Sequence, residues 1–327
     1  MSNSTRRVVV VSHNDAAEGA PVMAQKIAQG LADRSGFDVA LCCLSRSHNG
    51  LAGFDGVERL DFIDADTVVI LNTVVSCNIA KLLAKTTKRI LGVVHEVYNE
   101  TFAWVGPETF VGVARLVFVS KFCRDSYPAE FFSGATTRVI HNWLSDRERA
   151  LIDFAPRRDE GYALCLGSVA KHKGQMVAAK ALSGSGMPLV LAGRVYDSEY
   201  LEDIKRCFDG ELRVAGHVGR LEAADLLRGA SVLISPSPME SFSLVVQEAL
   251  HGMVPVVASR VGGIPEQVAD GQEGFLFESG NAQDCLEKIG IALARSASVT
   301  VAGRSRSLCC FGEGEKTLQY AEEVDAL

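Results

Sequence analysis

The chain has 327 residues, enough for two ordinary domains, and its 47% hydrophobic and 22% charged content is that of a soluble globular protein. Its net charge of −7, with the acid excess in the second half, leaves no basic footprint for nucleic acid. No stretch reaches the ~18–20 apolar residues of a membrane span. The opening "MSNSTRRVVVVSH" holds too short an apolar run for a signal peptide, so a cytoplasmic protein is expected. Nine cysteines without a CxxC pair point to reduced thiols rather than to a disulfide or zinc framework.

In chain order, "RRVVVVSH" (6–13) predicts a buried strand and "APVMAQKIAQGLAD" (20–33) an amphipathic helix. Strands follow at 38–44 and 67–72, then one helix over "CNIAKLLAKTTK", then strands at 89–96, 114–120 and 136–142. The charged stretch Asp146 to Gly161 predicts a link between domains. The alternation restarts with strands at 162–168, 188–193, 212–218, 231–237 and 254–259, and "EGEKTLQYAEEVDA" (313–326) predicts a polar helix. Continuous apolar strands alternating with helices imply two doubly wound parallel sheets. The domains expected are 1–155 and 156–305, with 306–327 as a final helical segment. Ligands of such sheets bind beyond the carboxyl ends of the strands.

Chemistry concentrates after the strand "SVLISPS" (231–237). "SFSLVVQEALHG" predicts a helix with Ser241 as N-cap, placing Glu240 at its lip and Glu248 about two turns inside. Nothing in the stretch is basic, and a buried carboxylate needs a partner, so a ligand is one candidate partner. Free N–H groups at the helix start, Ser241 to Leu244, would face a diphosphate. Glu240 could then take sugar hydroxyls and Glu248 ribose hydroxyls. The spacing alone equally allows an exposed loop acid and a solvated helix residue.

The flanks carry more. Pro236-Ser237, Glu240, Glu248-Ala249, Gly252, Pro255-Val256, Gly262-Gly263, Glu266 and Gly274 stand in the order found in the donor-binding region of retaining family 4 glycosyltransferases of GT-B fold, which this chain resembles. "LGSVAKHKGQ" (166–175) matches at Gly167, Lys173 and Gly174, with Ser168 where the family has arginine. Lys173 would neutralise the leaving diphosphate, with Lys171 or Arg194 standing in for the missing guanidinium. The resemblance further implies Phe242, Ser243 and Leu244 beside the diphosphate, and the backbone around His217 beside the base. It implies Gly19 near the donor phosphate and His95 on the donor sugar, with His13 and Asn14 towards the acceptor. It covers most of residues 6–295.

On that resemblance the chain is expected to be a metal-independent, retaining glycosyltransferase of hexosyltransferase type, with its site in a cleft between the two domains. Glu240, His95 and Lys173 would be its catalytic residues. The donor is expected to be a UDP-sugar rather than a GDP-sugar and the acceptor a glycan or glycolipid, as in polysaccharide assembly. No cofactor is expected. The glycines invite close approach of the backbone to that ligand. Asp64 and Asp66, an Asp-x-Asp pair, precede a strand instead of following one, so they read as a solvated strand start rather than a metal site. Lys81, Lys85, Lys88 and Arg89 crowd one helix end, which allows weak peripheral contact with the inner face of a membrane. A nucleotide-sugar epimerase of the same build and a non-catalytic nucleotide-sugar-binding protein stay open as alternatives. A dinucleotide oxidoreductase is disfavoured because no Gly-x-Gly-x-x-Gly follows a first strand.

Overall fold

The computed structural model describes residues 5–16, 19–45, 53, 55, 60, 63–99, 104–153 and 161–327. The chain divides into two compact units, residues 1–142 with 313–327, and residues 143–312. The boundary expected at 155–156 lies outside the described residues.

The first unit holds six strands: β1 (Arg6–Asn14), β2 (Phe37–Ser45), β3 (Val68–Asn72), β4 (Ile90–Val94), β5 (Arg115–Phe118) and β6 (Thr136–Val139). They form one parallel sheet in the order β2-β1-β3-β4-β5-β6. Val8 to Val11 are fully buried, as continuous apolar strands covered on both faces must be. The helix expected over 77–88 is instead two short helices, Val74–Cys77 and Ala80–Leu83. The Asn78 amide donates to the Val75 carbonyl at the break, in competition with the helical ladder, and Thr87 ties the end of the segment to the Thr67 carbonyl with its hydroxyl at 2.8 Å.

The final helix, Glu313–Asp325, belongs to this unit and is less solvated than its composition suggests. Thr317 packs on Gly30 so closely that any Cβ there would meet its methyl group at 2.1 Å. Arg115 donates to Glu323 at 2.5 Å, and Arg138 bridges Glu322 and Glu323 at 2.9 Å each.

The second unit repeats the plan with β7 (Tyr162–Leu166), β8 (Leu189–Ala192), β9 (Leu212–Gly216), β10 (Ala230–Ser235), β11 (Val256–Ser259) and β12 (Phe275–Phe277). Their order is β12-β11-β10-β7-β8-β9, again parallel. The strand order reverses between β7 and β10, so the loops leaving these two neighbours diverge and leave a crevice at their carboxyl ends. The start of the expected link is a helix, Asp146–Ile152, because Ser145 and Glu148 form a reciprocal capping box. Residues 154–160 of that link lie outside the described residues. Among the described residues no helix is long and apolar enough to cross a membrane, and no disulfide joins the cysteines.

Candidate active site

The reversal point of the second sheet is where the motif residues meet. After β7 the chain makes a short turn, Lys171–Lys173, ended by Gly174 at φ +69°. A Cβ on Gly174 would stand 2.1 Å from the Pro236 carbonyl oxygen in the loop after β10, so the two loops touch backbone to backbone. This contact sets Lys173 Nζ 3.1 Å from Glu240 Oε2. Glu240 therefore has its cation partner 67 residues upstream. The pair is accessible from solvent on the lysine side, with side-chain exposures of 32% and 16%. An ammonium has three donors, so Lys173 can hold Glu240 and still reach an anion. His172 beside it is held below its ordinary pKa by burial and by the Lys173 charge.

The loop carrying Glu240 is pinned from below. The Gly263 N–H donates to the Glu240 carbonyl at 2.9 Å. The buried Gln267 brackets Ser243, accepting from its N–H and donating to its carbonyl, both at 2.8 Å. Sequence reasoning took the Gly262-Gly263 pair to admit a ligand, whereas Gly262 admits the Glu240 backbone.

The helix starts later than expected. Ser243, not Ser241, is the N-cap: its hydroxyl accepts from the Val246 N–H, and the helix runs Leu244–His251. Phe242 is 4% exposed and packs edge-on against Phe311 at 5.6 Å, so its ring is core rather than a ligand contact. Ser243 has spent its N–H on Gln267. Leu244 and Val245, in the first two helical positions, have no carbonyl behind them in the helix, and their N–H groups suit an anion. Ser241, half-buried, lies in the loop before the cap.

Glu248 sits in the second turn of this helix, its side chain 19% exposed. Arg220 Nη1 lies 3.7 Å from its Oε1, and the same nitrogen pairs with Glu148. Arg220 opens the helix Arg220–Gly229 after β9. Sequence reasoning missed both Arg220 and Glu148; the Ser145-x-x-Glu148 spacing was the available signal, hidden inside the presumed link.

The other expected residues are less engaged. Ser168 follows β7, and its carbonyl accepts from Gln175 Nε2 at 2.7 Å. Arg194 is exposed and its guanidinium lies over the Tyr196 ring at 5.7 Å. Lys171 leans towards Asp197 at 3.9 Å. His217 is exposed in the loop after β9.

In the first unit, Gly19 at φ +55° precedes the helix Ala20–Ala32, with open space where a Cβ would be. His95 is buried just past β4, and its Nε2 lies 2.9 Å from Asn72 Oδ1. Asn72 donates its amide to the Ala20 carbonyl at 2.7 Å, so its oxygen faces the imidazole and Nε2 is the donor. Burial, reinforced by His13, pushes the His95 pKa down to about 3. The ring is neutral, with Nδ1 an acceptor. Asn14 accepts from the Ala16 N–H at 3.0 Å. Asp64 and Asp66 are exposed before β3, Asp64 taking the Thr67 hydroxyl at 2.6 Å. Among the described residues no group of three or more His, Cys, Asp or Glu side chains is placed to hold a metal ion. A cavity of about 660 Å³ between the helix Ala20–Ala32 and β2 is lined by Arg7, Gln25, Asp38 and Asp55 and holds none of these motif residues.

Residues 146–301 match the family described as Glycosyl transferases group 1. Among curated proteins, the chain is 34% identical over 113 residues to the sulfoquinovosyl transferase SQD2 of Arabidopsis thaliana, covering 33% of this chain and 22% of that one. It is 52% identical over 61 residues to a D-inositol 3-phosphate glycosyltransferase of Streptomyces avermitilis, covering 19% and 13%. It is 31% identical over 177 residues to the uncharacterized glycosyltransferase MJ1178 of Methanocaldococcus jannaschii, covering 54% and 48%. The match thus spans less than half of each of these relatives. Among solved structures, Anabaena Alr3699/HepE in complex with UDP and glucose superposes with a TM-score of 0.81 at 15% identity, covering 98% of this chain and 100% of that one. Sucrose-phosphate synthase from Thermosynechococcus elongatus gives 0.75 at 18%, covering 98% of each. At these identities the likeness is one of fold, the GT-B fold that the sequence motifs imply.

Proposed function

We propose, on the match of residues 146–301 to the group 1 glycosyl transferases, that this chain moves a sugar from a nucleoside diphosphate to a hydroxyl of a glycan or glycolipid, with retention at the anomeric carbon and without a metal. The observation that carries this reading is the Lys173–Glu240 pair at the β7/β10 reversal, next to the helix start at Leu244. Lys173 and the N–H groups of Leu244 and Val245 stabilise the diphosphate as it departs. Glu240 orients the sugar, and Glu248 the ribose. The bond from the anomeric carbon to the diphosphate oxygen breaks as the acceptor oxygen bonds to the same face. The hydroxyl proton passes to the departing diphosphate oxygen. Positioning and leaving-group stabilisation supply the rate, and no side chain forms a covalent intermediate. The choice of a uridine nucleotide is supported by the structural neighbour solved with UDP and glucose. The roles expected of Gly19 and His95 concern the first unit, and the reading stands on second-unit residues alone.

Ser168 in the family's arginine position favours a second reading, a nucleotide-sugar-binding protein without turnover.

A thermal-shift panel with UDP, GDP, ADP and NAD, each with magnesium and with EDTA, tests the first reading. A nucleotide at 100 times its dissociation constant stabilises by ~2.7 kcal/mol. One nucleoside diphosphate should shift the melt equally in magnesium and in EDTA, and slow hydrolysis of its sugar conjugate separates the transferase from the binding protein. A shift with NAD alone, or with none of the four, would sink both.

A further inference from the structure

We infer that Arg220, braced by Glu148, is a positioning residue for Glu248, and that this arm makes the site choose ribonucleotide over 2′-deoxyribonucleotide donors. The inference rests on the proposed role of Glu248 at the ribose. It follows from how unequally the two carboxylates hold one guanidinium nitrogen. Glu148 is the fixed end: its side chain is 10% exposed, and its Oε2 accepts from the Ser145 N–H at 2.7 Å and from the Ser145 hydroxyl at 3.0 Å. With Oε2 committed to the helix cap, Oε1 is turned towards Arg220, whose Nη1 donates to it. Nη1 carries two N–H donors in the plane of the guanidinium, so the nitrogen that Glu148 anchors has a second donor left on the side of Glu248. Glu248 is the more distant carboxylate, its Oε1 3.7 Å from Arg220 Nη1.

A glutamate on a helix has three free torsions, and ordering it on a ligand costs affinity. A cation held beside it from a second helix removes part of that cost before the ligand arrives. Behind the contact a cavity of 30 Å³, bounded by Glu148, Leu151, Arg220, Leu227 and Glu248, has room for about one water. The carboxylate therefore has little room to move into that cavity, and in the proposed arrangement the two hydroxyls of a ribose lie on its other side. A sugar lacking the 2′-hydroxyl leaves one aimed oxygen without a donor and should bind more weakly.

The experiment measures dissociation constants of UDP, 2′-deoxy-UDP, GDP and 2′-deoxy-GDP by calorimetry for the unaltered chain and for Arg220→Met, Arg220→Lys, Glu148→Gln and Glu248→Gln. Melting temperatures without nucleotide report folding. The unaltered chain should prefer the ribonucleotide of its chosen base by about tenfold or more, the worth of a hydrogen bond to a charged group. Glu248→Gln and Arg220→Met should each bring the ratio close to one. Glu148→Gln should reduce it less, and Arg220→Lys should restore part of it. A melting temperature that falls in Arg220→Met while the ratio holds makes the arm structural only and overturns the inference. If Glu248→Gln keeps the ratio, or if no diphosphate binds the unaltered chain, the ribose reading itself fails. If Glu248→Gln loses the ratio and Arg220→Met does not, only the positioning role fails.

Discussion

A methyl group on Gly262 would stand 1.9 Å from the carbonyl oxygen of Glu240, the oxygen that the Gly263 N–H holds at 2.9 Å. Gly262 is also at φ +56°, where a side chain is strained. Gly262→Ala therefore combines that strain with displacement of the loop that aims Glu240. It should cost more than the ~1–2 kcal/mol of the left-handed conformation alone and should lose most donor turnover. Gly271→Ala is the control: it shares the positive φ, at +75°, but meets nothing within 4 Å. Urea melts and turnover of the two variants decide the matter. Equal costs would mean that the Glu240 loop moves aside freely.

The Lys173–Glu240 pair is open to solvent on its lysine side, so it contributes little to stability, under ~1 kcal/mol. Its charges matter at the site. Glu240→Ala and Lys173→Ala should each fold, melt within a few degrees of the unaltered chain, and lose on the order of 10²–10³ in kcat, as when one preorganised group is removed. The exchange Lys173→Glu with Glu240→Lys restores an ion pair but inverts the field at the diphosphate. It should melt normally and transfer nothing. Transfer by the exchanged protein would show that the pair is scaffold.

Much of this architecture was legible because parallel strands buried on both faces need unbroken apolar runs; Val8–Val11 and Val68–Leu71 could hardly be anything else. β12 escaped because three residues, Phe275–Phe277, are too few to show a pattern. The N-cap slipped from Ser241 to Ser243 because both serines are good caps, and the choice was made by Gln267, 24 residues away, together with the burial of Phe242 against Phe311. Glu240, Glu248 and Lys173 were singled out by the ordered motif residues rather than by spacing, while the pairing of Lys173 with Glu240 and the whole of Arg220 were not legible. Glu240 meets Lys173 only because β10 lies beside β7, and that adjacency is a property of strand order, which no local pattern encodes. The final helix looked solvated because its acids are paired with Arg115 and Arg138 on strands far away in sequence.

Acid should destabilise the protein well before the carboxylates titrate. Burial holds the His95 pKa down to about 3, and burial with the Arg304 and Arg149 charges holds that of His251 to about 4. In the unfolded chain both imidazoles titrate near the ordinary 6.5. Between these values the unfolded state binds more protons, so the stability they contribute is fully present above about pH 6.5 and is lost as pH falls towards 4. His95→Gln keeps a donor for Asn72 and removes the titration. At pH 8 it should be neutral or mildly destabilising. At pH 5 it should gain about 2 kcal/mol relative to its own effect at pH 8, from one and a half units of avoided protonation. Denaturant melts at the two pH values measure this difference. A His95→Gln effect independent of pH would show that the imbalance at acid pH lies elsewhere.

Ser168 offers a gain rather than a loss. Its carbonyl is tied to Gln175 at 2.7 Å, so the backbone at this position is set whatever the side chain. It lies five residues before Lys173, in the same loop after β7. Lysine neutralises a diphosphate as a point charge, whereas a guanidinium adds two parallel donors in one plane. Ser168→Arg should therefore tighten nucleoside diphosphate binding by about tenfold, the ~1.4 kcal/mol of one further charge-assisted hydrogen bond. Its effect should vanish for the bare nucleoside, which has no phosphate to grip. Calorimetry with UDP and uridine, or with GDP and guanosine if the guanine nucleotide is the one bound, separates the two. An equal gain for the nucleoside would place the new side chain on the base. No gain for the diphosphate would mean that Ser168 points away from it, and that Lys173 with the helix N–H groups at Leu244 and Val245 carries the leaving group unaided.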